Sequence, residues 1–231
     1  MKRGRERRGQ FVIIAVMLTA IMIVSIGSLM HNAITYYKHE PWEEYSTVIG
    51  DIEINSRKIV ELSLASYTNS IAQNTILYSN VNTWQNDLKD IYPSSGIVLK
   101  SENSSHKLEN NVRSGLATTS IAKATFTLDI QSIGLKGYVF NVVTSLTVKI
   151  SVTPINSTAN EIIAVVKSET GMPVTDLNED NFRIENATNV SVSPIYDRTN
   201  VLEYKIVYDG PTSAIVEVWD QRGIRVVCSQ L

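Results

Sequence analysis

Oxygen-bearing side chains at alternate positions open the chemical reading of this 231-residue chain: Asp176, Asn178 and Asp180 lie within the run Asp176-Leu177-Asn178-Glu179-Asp180. Oxygens so spaced can converge on Ca²⁺, a hard cation that collects carboxylate, amide and carbonyl ligands. The run departs from an EF-hand, with Asn181 where the sharp turn needs glycine and Ala187 where the bidentate acid belongs. A solvated turn, in which Asp and Asn bond to their own backbone, accounts for the same residues. These three are therefore the candidate Ca²⁺ ligands, while the expectation for the chain as a whole is no cofactor.

Other chemistry is sparse. His31, His39 and His106 are widely separated, and GxSxG, GxGxxG, P-loop and HExxH patterns are absent. The reading is that of a protein that is not an enzyme. One cysteine, Cys228, cannot build a disulfide framework or a thiolate metal site, and it reads as a small buried hydrophobe. Four Asn-x-Ser/Thr sequons begin at Asn103, Asn156, Asn186 and Asn189, about as many as chance supplies, in polar sequence where a glycan could be carried.

Charge is distributed unevenly. Lys2, Arg3, Arg5, Arg7 and Arg8 against Glu6 give the first eight residues +4, which leaves −6 for the remainder of a chain whose net charge is −2. An acidic body argues against nucleic acid as a partner. The basic cluster precedes FVIIAVMLTAIMIVSIGSLM, Phe11 to Met30, without charge or proline. Roughly 20 residues at 1.5 Å each match a hydrocarbon core of about 30 Å. The expectation is a basic cytoplasmic leader (1–10), a transmembrane helix (11–35) in contact with membrane lipid, and an extracellular body. Tyr36, Tyr37 and Trp42, with Lys38 and His39, then form an interfacial belt. A cleaved secretory signal fits less well: its apolar region runs about 7–15 residues, and the small-x-small site Ser25-Ile26-Gly27 lies inside the run.

Arg7-Arg8-Gly9-Gln10-Phe11, set directly against the apolar run, resembles the class III signal of archaeal type IV pilin-like proteins. The resemblance implies cleavage between Gly9 and Gln10 on the cytoplasmic side, with the helix retained as filament core or anchor. One departure is that the glutamate common five residues into the mature pilin, where it aids assembly, is Ile14 here.

The elements beyond the helix follow from periodicity. Residues 36–93 read as a helical neck, because glycine and proline are absent between Gly50 and Pro93 while Val60, Leu64, Tyr67 and Ile71, then Val81, Trp84, Leu88 and Ile91, recur at helical spacing. The polar stretch Ser79 to Thr83 marks a place for a break or bend, and Tyr92-Pro93-Ser94-Ser95-Gly96 a stop. Such a helix either carries the body as a stalk, packs on neighbouring subunits or packs on its own sheet. Residues 94–153 read as an antiparallel β region with strands at Ala124 to Ile130, Tyr138 to Val143 and Ser145 to Val152, and an exposed loop from Ser101 to Ser114.

Turn formers at Thr153-Pro154-Ile155-Asn156-Ser157-Thr158 introduce a second β region, 154–231. Its Gly171-Met172-Pro173-Val174 turn, Asp176-Leu177 pair and Asn181-Phe182 resemble the immunoglobulin-like modules of microbial surface proteins. The resemblance implies a structural or adhesive module. The turn boundary before it and apolar strands recurring within one short span predict that it folds by itself from Asn160 onward. In its strand Ala214 to Trp219, Ala214, Val216 and Val218 share the core face and Ile215, Glu217 and Trp219 the other.

The fold class expected is α+β: an N-terminal transmembrane helix and helical neck, then an antiparallel, sandwich-like extracellular region. The function expected is a membrane-anchored structural protein, pilin-like, with like subunits or other surface proteins as partners. The alternative is a single-pass surface binding module, an adhesin or accessory subunit that does not polymerise.

Overall fold

A computed structural model describes residues 16–31, 41–69, 75–153, 160–198 and 200–229. Gly9, Gln10, residues 11–15, Tyr36, Tyr37, Lys38, His39 and Asn156 lie outside the described residues, as does the side chain of Trp42. The chain divides into two compact units, Met1–Ile49 and Gly50–Leu231.

In the first unit, residues 16–31 form helix α1, and every described side chain along it is exposed. Among the described residues no helix is long and apolar enough to cross a membrane.

The second unit is α+β, and the part of helix α2 (Pro41–Asn69) from Gly50 on belongs to it. With neither glycine nor proline after Gly50, α2 runs unbroken and buries Ile52, Ser56, Val60, Leu64 and Thr68, four residues apart on one face. Helix α3 (Ile76–Ile91) buries Leu77, Val81 and Leu88 at the same kind of spacing. The two lie antiparallel, since Trp84 Nε1 donates to Ser56 Oγ (3.1 Å) and Asn80 Nδ2 to Ser63 Oγ (2.9 Å). Helix α3 passes through Ser79 to Thr83 without a break; instead the two helices are separated between Asn69 and Ile76. Polar residues there are tolerated because Asn80 finds a partner on α2. The buried faces mean that the helices from Gly50 to Ile91 pack on their own domain.

The remaining strands, in chain order, are β1 (Ile97–Lys100), β2 (Lys107–Ser114), β3 (Ala117–Ile130), β4 (Leu135–Thr153), β5 (Asn160–Ser168), β6 (Phe182–Ile184), β7 (Thr188–Asp197), β8 (Asn200–Asp209), β9 (Ile215–Trp219) and β10 (Arg225–Ser229). All pairings between them are antiparallel. One sheet has the order β1-β3-β4-β5-β8-β7, with β2 also on β3; a smaller sheet has the order β10-β9-β6.

Two expectations change. Half of the loop foreseen at Ser101 to Ser114 is strand β2, paired with β3 from Lys107↔Lys123 to Ser114↔Ala117. Its sequence, KLENNVRS, lacks apolar alternation because it is an edge strand whose partner supplies the core residues. The division at 153/154 does not divide the sheet. Strand β4 runs 19 residues as one element, pairing first with β3 and then with β5 from Leu146↔Ser168 to Thr153↔Glu161.

Alternation sets the core. Along β3, Ser120, Ala122, Ala124, Phe126, Leu128 and Ile130 all point inward. Two unlike lids cover that face. Near β1 and the start of β4 lie the helices, with Tyr138 OH donating to Glu53 Oε1 on α2. Near β2 and the far half of β4 lies the small sheet, whose Val216, Val218, Val226 and Cys228 are buried against it in a sandwich-like layer. Strand β10 pairs with β9 on one side only, and side chains serve its other edge: Ser120 Oγ donates to Arg225 O, and Val227 N to Asn111 Oδ1 (2.8 Å). Asn111 reaches that position from the bulge between Glu109 and Val112, at φ +55°, a conformation Asn adopts more readily than most residues.

Candidate functional site

The sequence-selected groups are dispersed. Asn178 caps a short 3-10 turn at Glu179–Asn181: its Oδ1 accepts from Asp180 N (3.0 Å), and its own N–H donates to Asn181 Oδ1 (2.9 Å). That reciprocal cap uses the Asn178 oxygen that a cation would need. Among the described residues no group of acids, histidines and cysteine is placed to hold a metal ion. Asn103, Asn186 and Asn189 are exposed; Asn186 and Asn189 adopt positive φ, and Asn189 Nδ2 donates to Asp209 Oδ2 (2.9 Å). Cys228 is buried, which pushes its thiol above the ordinary value.

His106 meets Ser101, with Nε2 2.8 Å from Oγ. The geometry is that of a hydroxyl–imidazole pair, but the Ser101 proton is already donated to Thr125 O (2.7 Å). Nε2 must then carry the hydrogen, so the ring holds the hydroxyl in place and cannot withdraw its proton. Nδ1 is enclosed without a hydrogen-bond partner, and desolvation lowers the pKa of the ring.

The densest charge cluster surrounds Arg222 in the turn between β9 and β10. Its Nε donates to Asp220 Oδ2 (2.7 Å), one terminal nitrogen to Glu169 Oε2 (2.9 Å), and the other to Ser145 O (3.0 Å); Glu61 of α2 stands 3.7 Å away. Asp220 Oδ1 also accepts from the backbone N–H of Arg222 and Ile224 (both 3.0 Å). Desolvation opposes the charge on Arg222, yet Glu169 and Asp220 hold its pKa above the ordinary value; burial likewise opposes Glu169, and the guanidinium holds its carboxyl below the ordinary range. With each guanidinium nitrogen donating one hydrogen bond, the cluster works as a four-way tie between both lids and the main sheet.

An open groove of about 500 Å³ lies on the outer face of the main sheet. Cross-strand register assembles it: Ala117 opposes Lys149, Lys149 opposes Val165, and Thr147 opposes Lys167, with Pro173, Leu202 and Glu203 closing one side. Among the described residues neither Lys149 nor Lys167 has an ion-pair partner. Sequence reading missed this surface because its members come from four strands. A signal was present in Val148-Lys149 and Val166-Lys167, where lysine alternating with a buried valine must face outward.

Helix α1 offers a different surface. Val16, Met17, Leu18, Ile21, Met22, Ile23, Val24, Ile26, Leu29 and Met30 are each more than half exposed. Comparison with known proteins gives no matching family, no matching curated sequence and no matching solved structure.

Proposed function

We propose that the chain is a membrane-anchored, extracytoplasmic structural protein, a pilin-like component of a surface filament or appendage. The observation that carries this reading is α1: fifteen consecutive uncharged residues, 16–30, on a helix with every side chain exposed. Such a continuous apolar surface calls for lipid or for like helices around it. At 1.5 Å per residue the described helix, 16–31, spans about 24 Å, and the uncharged sequence continues N-terminally through 11–15 toward the +4 leader. No chemical step is assigned: the Ser101–His106 contact and the Arg222 cluster are positioned as structural ties.

Topology and processing test the reading. Protease added to intact cells should degrade the segment after Tyr36 while an epitope before Lys2 survives; the reverse pattern defeats it. Intact mass places the mature N-terminus. A start at Gln10 supports prepilin-type cleavage, retention of Met1 a plain anchor, and a start after Gly27 refutes the retained helix. A second reading, a single-pass binding module that does not polymerise, is favoured by the open groove beside Lys149 and Lys167. It requires a membrane-bound monomer or small oligomer whose surface a ligand saturates.

A further inference from the structure

We propose that Asn186 carries an N-linked glycan, so that the turn between β6 and β7 is a modified corner of the body. This rests on the extracytoplasmic reading above, because transfer is placed after export, onto the folded chain.

The four sequons are alike as strings, and their number says nothing about their use; the fold separates the three that lie among the described residues, Asn103, Asn186 and Asn189. Transfer onto a folded chain needs two free groups. One is the asparagine Nδ2, which becomes the bonded atom, and the other is the hydroxyl two residues on, by which a transferase holds the site. A group committed to an internal hydrogen bond must first give that bond up.

At Asn103 the hydroxyl is committed. Ser105 is half-buried, its Oγ donates to Glu102 O (2.6 Å), and the Thr125 N–H donates to the same Oγ (3.4 Å). At Asn189 the amide is committed, since Nδ2 donates to Asp209 Oδ2 (2.9 Å). At Asn186 both groups are free. Asn186 and Thr188 are exposed, and neither the amide of one nor the hydroxyl of the other has a hydrogen-bond partner among the described residues.

The backbone presents them. Ala187 N donates to Ile184 O (3.3 Å), closing a four-residue turn whose third residue, Asn186, lies at φ +59°, a left-handed conformation that asparagine tolerates. Gly210 backs the turn so closely that a Cβ there would sit 3.1 Å from Ala187 Cα and from Asn186 O. The turn is thus braced through its backbone while the Asn186 side chain stays uncommitted.

The chemistry requires a sugar linked through a lipid phosphate and a membrane transferase. Asn186 Nδ2 attacks C1 of the sugar: the Nδ2–C1 bond forms as the C1–O bond to phosphate breaks. The phosphate leaves with the electron pair, one amide proton passes to a carboxylate of the transferase, and nothing is oxidised or reduced. The product stands at the start of a sheet edge, because β7 pairs with β8 alone. Bulky hydrated sugar beside Thr188 keeps a foreign strand from pairing there.

Glycopeptide mass spectrometry on the full chain, extracted from membranes of the cells that make it, tests the assignment. Tryptic peptide 101–107 reports Asn103, and electron-transfer fragmentation of peptide 184–198 separates Asn186 from Asn189. Sugar on Asn186, with Asn103 and Asn189 bare, is the expected result. Thr188→Ala should remove the sugar with Asn186 intact, Thr188→Ser should keep it, and Asn189→Gln should leave it unchanged, all with the parent circular dichroism. A bare Asn186, sugar on Asn103 or Asn189 to the same extent, or sugar that persists in Thr188→Ala overturns the assignment. If protease on intact cells still removes the body when Asn186 is bare, the extracytoplasmic reading stands without the glycan; if the body is protected, both fall.

Discussion

The two lids on the main sheet both bury aliphatic residues, and the helical lid adds hydroxyls to them. The helical lid brings buried hydroxyls to its seam: Ser56, Ser63 and Thr68 are enclosed, and they receive Trp84 Nε1, Asn80 Nδ2 and the Arg225 N–H. The small sheet presses an almost entirely aliphatic face inward, Val216, Val218, Ile224 and Val226, and satisfies its polar groups at edges and turns. Hydroxyl-to-donor seams fix register, because a shift of one helical turn would separate several buried hydroxyls from their donors at once. Aliphatic seams supply more transfer free energy and less direction. The helical lid is therefore the precisely placed one, and the sheet lid the adhesive one.

The most severe way to break the comparison is to cut the chain. A fragment from Asn160 to Leu231 keeps the sheet lid but loses β4, the partner of β5 over eight residue pairs. It should show no cooperative melt by circular dichroism, whereas Gly50–Leu231, which keeps both lids, should show one. A cooperative melt of the shorter fragment would make the sheet lid a domain of its own.

Next is Asp220→Ala, which strips Arg222 of its closest anion and leaves two backbone N–H groups without their acceptor. A loss of about 3 kcal/mol or more in urea-unfolding free energy is expected, larger than that of any single seam hydroxyl. Leu64→Ala, at a fully buried position of the helical lid, should cost about 2–4 kcal/mol. If the lids form one cooperative unit, it will shift the β signal and Trp219 fluorescence together; separation of the two transitions would show the helices leaving first. Ser56→Ala should cost about 1 kcal/mol, since the half-buried Trp84 indole keeps some access to water.

The smallest effect is a pH dependence on the acid side. His106 has its folded pKa lowered below 6.5, so the unfolded chain binds the extra proton first. Its contribution is complete above pH 6.5 and declines as pH falls from there toward the folded value. Glu169 adds a second decline, below its ordinary 4.5, for the same reason. Urea midpoints measured from pH 8 to pH 4 should fall, and His106→Gln should flatten the part between pH 7 and pH 5.

Alternation and helical spacing made much of this fold readable. Ala214, Val216 and Val218 face the core as expected, and the Gly171-Met172-Pro173-Val174 turn forms with Gly171 at φ +76°; of the residues marked by helical spacing, Val60, Leu64, Val81 and Leu88 are buried and Tyr67 and Trp84 half-buried, whereas Ile91 is exposed and Ile71 lies outside the described residues. Trp219 lies on the outer face, where it meets Asn69 of α2 (3.0 Å) and Arg225, a contact that no pattern in the strand announces. Strand β2 was hidden because its polar residues face solvent or serve other edges, as Asn111 serves β10. The join of β4 to β5 was hidden by the turn formers at 153–158, which signal a reversal but not whether the strand after it returns to the same sheet. Of the candidate sites, the Asp176 run was legible as a turn, whereas the groove depends on the register of strands far apart in sequence.

The uninterrupted β4 also limits how such a chain can be recombined. Strand pairing on both of its edges, first β3 and later β5, makes it common property of the two β regions. A gene fusion that grafted residues 154–231 onto an unrelated stalk would deliver a β5 paired with β8 on one edge and bare on the other, and the donor would keep eight residues of newly bare edge on β4. Crossovers that keep both sheets whole must fall outside the span from β1 to β10. Diversification of this protein is thereby directed to the surface residues of an intact body, and away from the exchange of whole modules.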